Sequence, residues 1–317
     1  MQPLLGAETL VVYSARKEHL IKPVTDKYTL KTGIKVQLLT DKAASLLARL
    51  RAEGSSTPAD LLITVDAGNL WHAAQKGVLA SIHSKLLQKN IPSHLRDPGG
   101  QWYGLSIRAR TIAYNTKKVK SSELSTYEDL GNAKWKGRLC LRTSKKVYNQ
   151  SLVATMIADH KKKSVEQNLR SWVKNLAAPV FSSDTKVLEA IAAGQCDVGI
   201  VNTYYFGRLL RKKGGLPLSL FWPNQKDRGV HVNISGAGVT QHSKHKKEAT
   251  HFLEWLSSPQ AQSLFSNLNL EYPANPKVKP APEVAAWGTF KQDQVNLSKA
   301  GELQKEAIKL MDRVGYK

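Results

Sequence analysis

The chain reads as an α/β protein built on open sheets and divided into two domains, and three observations carry that reading. Apolar runs of strand length alternate with helically spaced apolar residues from Thr9 to Val78. A second series of the same kind starts at Arg138, after a candidate crossing between domains. A length of 317 residues favours two domains over one.

Taken in order, Thr9-Leu10-Val11-Val12-Tyr13 is a short apolar strand, and Ser14 to Glu18 leads from it into a helix. Backbone N–H groups at such a turn favour an anion. Ile34 to Leu39 is the second strand. Residues 41–53 form a helix, because Ala43, Leu46, Leu47 and Leu50 recur at helical spacing and Gly54 stops it. Asp60 to Thr64 is a continuous apolar strand of the kind buried in a parallel sheet, and Trp71, Ala74 and Val78 continue on a helix. Open α/β sheets bind ligands beyond the C-terminal ends of their strands, which nominates Tyr13 to Glu18 and Val65 to Gly68 as part of a cleft wall.

Arg108 and Arg110 open the strand Thr111 to Asn115, the first candidate crossing. Arg138 to Arg142 is a strand ending in a turn that feeds a helix, with Tyr148 near its start. Val187, Ala190 and Ile191 make a helical face ended by Gly194. The strand carrying Cys196 then leads to Asn202-Thr203-Tyr204-Tyr205. His231 to Gly238 is the second crossing, and Ala249, Phe252, Leu253 and Leu256 form one stripe of a helix. Pro273, Pro276, Pro280 and Pro282 mark an extended connection, and a last helix with Leu303, Ala307, Ile308 and Met311 packs back on the second lobe.

Composition excludes several classes. Hydrophobic content of 41% and charged content of 23% are those of a soluble globular protein, and no apolar run is long enough to span a bilayer. Met1 to Glu8 has neither a basic n-region nor an apolar h-region, so the chain is either cytosolic or exported with its signal removed. A net charge of +22 first suggests nucleic acid or an anionic membrane. The basic residues are spread along the chain, however, and the runs Lys161-Lys162-Lys163 and Arg211-Lys212-Lys213 lack interleaved aromatics. Dinucleotide, Walker, Gly-x-Ser-x-Gly, HExxH and EF-hand signatures are absent, and no two carboxylates pair in an acid/base role. His242, His245 and His251 are spaced too irregularly for one metal site on a helix. Two cysteines, Cys140 and Cys196, are too few for a zinc ribbon; a bridge between neighbouring strands and two buried thiols both stay open.

Tyr204 and Tyr205 remain. On extended chain their side chains would point to opposite faces, but a turn just after the strand lets both phenol oxygens converge. A deprotonated phenol oxygen is a hard donor suited to a hard, highly charged cation. An isolated pair of this kind is ordinarily one core and one surface tyrosine. Here Tyr148 and Tyr204-Tyr205 each follow a strand of the same second sheet.

The order of these segments resembles the periplasmic ferric-ion-binding proteins of bacterial iron-uptake ABC transporters, from about Leu10 to the C-terminus. The resemblance rests on Val12-Tyr13-Ser14-Ala15-Arg16, Lys31-Thr32-Gly33-Ile34-Lys35-Val36, Thr57-Pro58-Ala59-Asp60, Arg108-Ala109-Arg110, Trp135-Lys136-Gly137, Asn202-Thr203-Tyr204-Tyr205, Asn233-Ile234-Ser235-Gly236 and Glu271-Tyr272-Pro273. It implies the two-lobed class II periplasmic-binding-protein fold with a hinge, one lobe of residues 1–107 and 235–283, the other of 108–234 and 284–317. It also implies a monomeric, non-enzymatic capture protein that lodges Fe3+ at the hinge cleft and docks on an inner-membrane ABC permease. The mature form is expected in the periplasm, with its signal peptide not part of this chain. Tyr204 and Tyr205 match the family's iron ligands, and Tyr148 matches the third tyrosine of members that use three or more.

Two departures shape the expected site. The family's histidine, or histidine then tyrosine, is replaced by Lys17 and Glu18, and its glutamate by Val65. Whether Glu18 stands in for the missing tyrosine stays open, and Tyr13, on the strand itself, is read as structural. Three phenolates neutralise a ferric ion, whose charge lowers a phenol pKa of about 10. Three ligands leave an octahedral ion open, so a bidentate anion such as carbonate is expected to complete it. Arg108 is the first choice to balance that anion, because its fork matches a planar oxyanion, and Arg16 or Lys17 the second. The rival readings are a binder of a small oxyanion or organic ligand on the same fold, and a basic nucleic-acid-binding protein.

Overall fold

Strand β1 (Thr9–Ser14) is the axis of the first sheet. The computed structural model describes residues 9–317, so the reading of Met1 to Glu8 lies outside the described residues. β1 is followed by one 3-10 turn, Glu18–Leu20, and helix α1 (Lys22–Thr32) begins only after it. The segment Ser14 to Glu18 thus leads into one 3-10 turn before the α-helix; Pro23 falls in the first turn of α1, where its missing N–H needs no partner. Then come β2 (Lys35–Thr40), α2 (Ala43–Glu53), β3 (Leu61–Val65), α3 (Ala67–Gln75), α4 (Lys85–Asn90) and β4 (Tyr103–Asn115). β1 pairs in parallel with both β2 and β3, and the run Leu61-Leu62-Ile63-Thr64 is buried throughout, as a strand paired on both sides requires.

β4 is longer than its sequence suggested: Arg108 and Arg110 lie inside it rather than at its start, and both are buried. After it come β5 (Leu139–Cys140), α5 (Val147–Asp159), α6 (Lys162–Lys174), α7 (Asp184–Ala192), β6 (Val198–Asn202), α8 (Thr203–Lys213), β7 (Leu218–Phe221) and β8 (Val232–Val239). Only Leu139 and Cys140 of the expected strand Arg138 to Arg142 enter the ladder, parallel to β6. β6 and β7 both run antiparallel to β4. The chain finishes with α9 (Lys246–Leu256), α10 (Pro259–Asn269), β9 (Tyr272–Pro273), α11 (Pro282–Ala285), α12 (Ser298–Glu302) and α13 (Gln304–Arg313).

The described chain forms two units. The first takes residues up to Ile107, Ile234–Ala281 and Asn296–Gly301; the second takes Arg108–Asn233, Pro282–Val295 and Glu302–Lys317. β8 lies antiparallel against β3 in the first unit, with Val65 opposite Ser235. That unit's core gathers Leu10, Val12, Ile63, Val239, Phe252, Leu253 and Phe265. In the second, Ala113, Val187, Ile191, Val201 and Leu209 pack together, and α13 lies on α5 and α6. Ala307, Leu310 and Met311 are buried, whereas Ile308 is 43% exposed: the apolar stripe of α13 runs through Leu310 instead. No described helix is long and apolar enough to cross a membrane.

The cysteines form a disulfide, with Cα atoms 5.9 Å apart across 56 residues of sequence. Cys196 lies just before β6 rather than within it, and the bond ties that approach to β5. Closing a loop of this length restricts the unfolded chain, so Cys140→Ala/Cys196→Ala is expected to lose about 2–4 kcal/mol in urea denaturation against the oxidised parent. Equal midpoints and slopes for the two would contradict this.

Candidate metal centre

β6 passes into α8 without a loop. Asn202 is extended, and Thr203 already begins the helix, so Tyr204 and Tyr205 are its second and third residues. They are therefore neighbours around a helix rather than opposite faces of a strand, and their ring centroids stand 4.4 Å apart, tilted by 35°. Tyr148 is likewise the second residue of α5. Tyr204 Oη donates to Tyr148 Oη at 3.2 Å, and Asn202 Nδ2 to Tyr204 Oη at 3.5 Å. Three phenols from two helix starts thus meet in the second unit. The amino ends of helices carry partial positive charge, which favours phenolates there.

Arg110 holds the two helices in place. Its Nε and Nη2 donate to Asn149 Oδ1 at 2.9 and 2.6 Å, and its Nη1 donates to Asp184 Oδ2 at 3.1 Å and to Asn202 Oδ1 at 3.0 Å. Asp184 Oδ2 also accepts the Asn202 backbone N–H at 3.0 Å. Asn149 Nδ2 in turn donates to the carbonyls of Arg142 and Thr143, at 2.8 and 2.9 Å. One buried fork therefore fixes β4, α5, α7 and β6 relative to one another.

Cations surround the phenols. The Arg108 guanidinium lies 5.1 Å from the Tyr148 ring centroid, Lys146 Nζ 5.0 Å from the same ring, and Arg208 4.8 Å from Tyr204. Arg142, which the sequence did not single out, lies 5.5 Å from Tyr148 and 5.9 Å from Tyr205. It is 7% exposed and 3.5 Å from Asp184, and its Nε and Nη1 have no hydrogen-bond acceptor among the described residues. The available signal was an arginine just beyond a strand end on the approach to Tyr148; its counter-ion, Asp184, is distant in sequence.

This setting separates the three phenols. Burial pushes Tyr204 well above the ordinary phenol value, and the neighbouring oxygens of Tyr148 and Tyr205 add to it. Tyr148 is also raised by burial, against the opposing charge of Arg108. Burial would raise Tyr205 too, but a hydrogen bond with Tyr204 and the bond and charge of Arg142 outweigh it, so Tyr205 ionises first.

The other candidates lie in the first unit. Tyr13 Oη donates to Glu53 at 2.8 Å, and Lys17 and Glu18 are exposed. Arg16 lies in the bend after β1, and its guanidinium is committed to Glu271, Asn269 and Ser235, whereas Arg142 lies against the phenols. Among the described residues, no group of three or more His, Cys, Asp or Glu side chains could hold a metal ion. His245 faces Asp60 at 3.2 Å and His251 faces Tyr28 at 3.1 Å.

The family model for bacterial extracellular solute-binding proteins matches residues 56–295. Iron uptake protein A1 of Synechocystis is 40% identical over 96% of this chain and 87% of its own length. The Fe(3+)-binding periplasmic protein of Serratia marcescens is 30% identical over 94% of this chain and 90% of its own. A Trichodesmium protein, IdiA or FutA, solved in complex with iron and citrate ligands, superimposes with a TM-score of 0.95 at 44% identity, covering 98% of this chain and 100% of that one. The relatives named here are iron-uptake and ferric-iron-binding proteins, and the chain belongs to the bacterial extracellular solute-binding proteins.

Proposed function

We propose that this protein captures ferric iron with Tyr148, Tyr204 and Tyr205 and delivers it to an inner-membrane ABC permease. The observation that carries the reading is the 3.2 Å separation of two phenol oxygens, with the third phenol's ring 4.4 Å from that of Tyr204. Adjacent oxygens of an octahedron with bonds of about 2.0 Å stand about 2.8 Å apart, so a small relaxation brings these two onto one ion. Three phenolates balance the ferric charge. A bidentate oxyanion such as carbonate fills two of the three remaining octahedral positions, and Arg142, with buried N–H groups to offer, and Arg108 balance it. The mechanism is capture and release without catalysis. A periplasmic location agrees with the disulfide, which persists in an oxidising compartment.

A visible spectrum of iron-loaded protein, with and without bicarbonate, tests the reading. A tyrosinate-to-iron band that strengthens with bicarbonate is expected. A colourless protein whose melting temperature rises with phosphate or a small organic ligand would make it a different binder of the same family. Affinity should also depend steeply on pH. Tyr148 and Tyr204 hold their protons above the ordinary phenol range, so binding must displace protons, and acid favours release. Ferric affinity measured by citrate competition is expected to fall continuously from pH 8 to pH 5; a flat profile would exclude phenolate ligands.

A further inference from the structure

A second buried polar cluster lies in the first unit. Arg16, in the bend after β1, is its centre; its side chain and that of Glu271 are each 4% exposed. Arg16 Nη2 donates to Glu271 Oε2 at 2.6 Å and to Ser235 Oγ, and Nη1 donates to Asn269 Oδ1. The guanidinium also lies 4.7 Å from the Phe265 ring centroid. Ser106 Oγ donates to the same Glu271 oxygen.

The two serines are placed informatively. Ser106 lies on β4, two residues before that strand passes into the second unit at Arg108. Ser235 lies on β8, two residues after Asn233, where the chain leaves that unit. β9 adds a backbone ladder to the same stretch of β4, with Tyr272 opposite Ile107 and Pro273 opposite Ser106. Between Asn269 and Glu271, Leu270 has φ +55, a left-handed conformation that residues with a Cβ rarely adopt. The residues on either side of this turn both reach Arg16. Two buried charged groups are thus satisfied by side chains of the two strands that pass between the units.

We infer that the Arg16–Glu271 pair positions the crossing strands for iron capture. It fastens the first-unit ends of β4 and β8 to the bend after β1, so that any hinge movement is confined to the residues just beyond. Charge-assisted hydrogen bonds give the clamp its stiffness, and hinges are a few residues between stiffer blocks. The inference rests on the reading of this protein as one that captures ferric iron.

The test is Ser106→Ala/Ser235→Ala, which cuts both links to the strands and leaves the ion pair in place. Ferric affinity by citrate competition is expected to drop about tenfold. The tyrosinate band should keep its position, because the phenols belong to the other unit, and the iron-induced decrease in radius of gyration by small-angle scattering should shrink. Glu271→Gln should act in the same direction and more strongly; if it fails to fold, the serine variant decides. Parent-like affinity and compaction in the serine variant, even with a lower melting temperature, would overturn the positioning role while leaving the iron reading intact. A parent protein without the band would sink the iron reading itself, and this inference with it.

Discussion

Tyr204→Phe is expected to bleach most of the tyrosinate-to-iron band and to weaken ferric binding more than about a hundredfold. Loss of a partner that merely supports a metal ligand costs 10–100-fold, and this change removes a donor. Tyr204 Oη stands at the centre of the cluster, bonded to Tyr148 Oη and approached by Asn202 Nδ2. The substitution leaves the ring in place, 4.4 Å from Tyr205, so packing is preserved and the effect reports the oxygen alone. Tyr205→Phe should be comparably severe and should also remove the phenol that ionises most readily. Equilibrium competition with citrate, read at the visible band, measures both. Unchanged colour and affinity in either variant would refute three-phenolate capture.

The second large effect concerns stability. Asp184 is fully buried, bonded to Arg110 Nη1 at 3.1 Å and to the Asn202 N–H at 3.0 Å, with Arg142 3.5 Å away. Asp184→Ala would strand two buried guanidinium groups without their anion. Breaking a buried pair from one side costs about 3–5 kcal/mol, and the apoprotein is expected to lose that much in chemical denaturation. Iron binding should weaken as well, because Arg110 is the fork that holds Asn149 beside Tyr148 and Asn202 beside Tyr204. A loss below about 1 kcal/mol would mean that the guanidinium groups are balanced elsewhere.

The positions of the phenols were legible because they depend on local pattern. A buried apolar strand followed at once by polar and aromatic residues puts the latter at its C-terminal end, and this held for Tyr204 and Tyr205 after β6 and for Tyr148 beyond β5. The detail differed: a helix, not a loose turn, makes Tyr204 and Tyr205 neighbours. The apolar β1 and β3 and the helix stop at Gly54 were legible for the same reason, since periodicity and glycine conformation act over a few residues.

Partners distant along the chain were not legible. Arg16 was read from its neighbours as an anion holder near a helix start, yet its acceptors lie 253 and 255 residues away. Arg142 gave little local signal, because its importance comes from Asp184 and from Tyr148 and Tyr205 on separate helices. The fate of Cys140 and Cys196 likewise depended on whether the approach to β6 comes within bonding reach of β5. By itself, the sequence determined which residue types stand at the ends of which strands. The tertiary structure alone decided which charges and thiols meet, because a side chain's partner is set by how remote segments pack and leaves no periodic trace in its own neighbourhood.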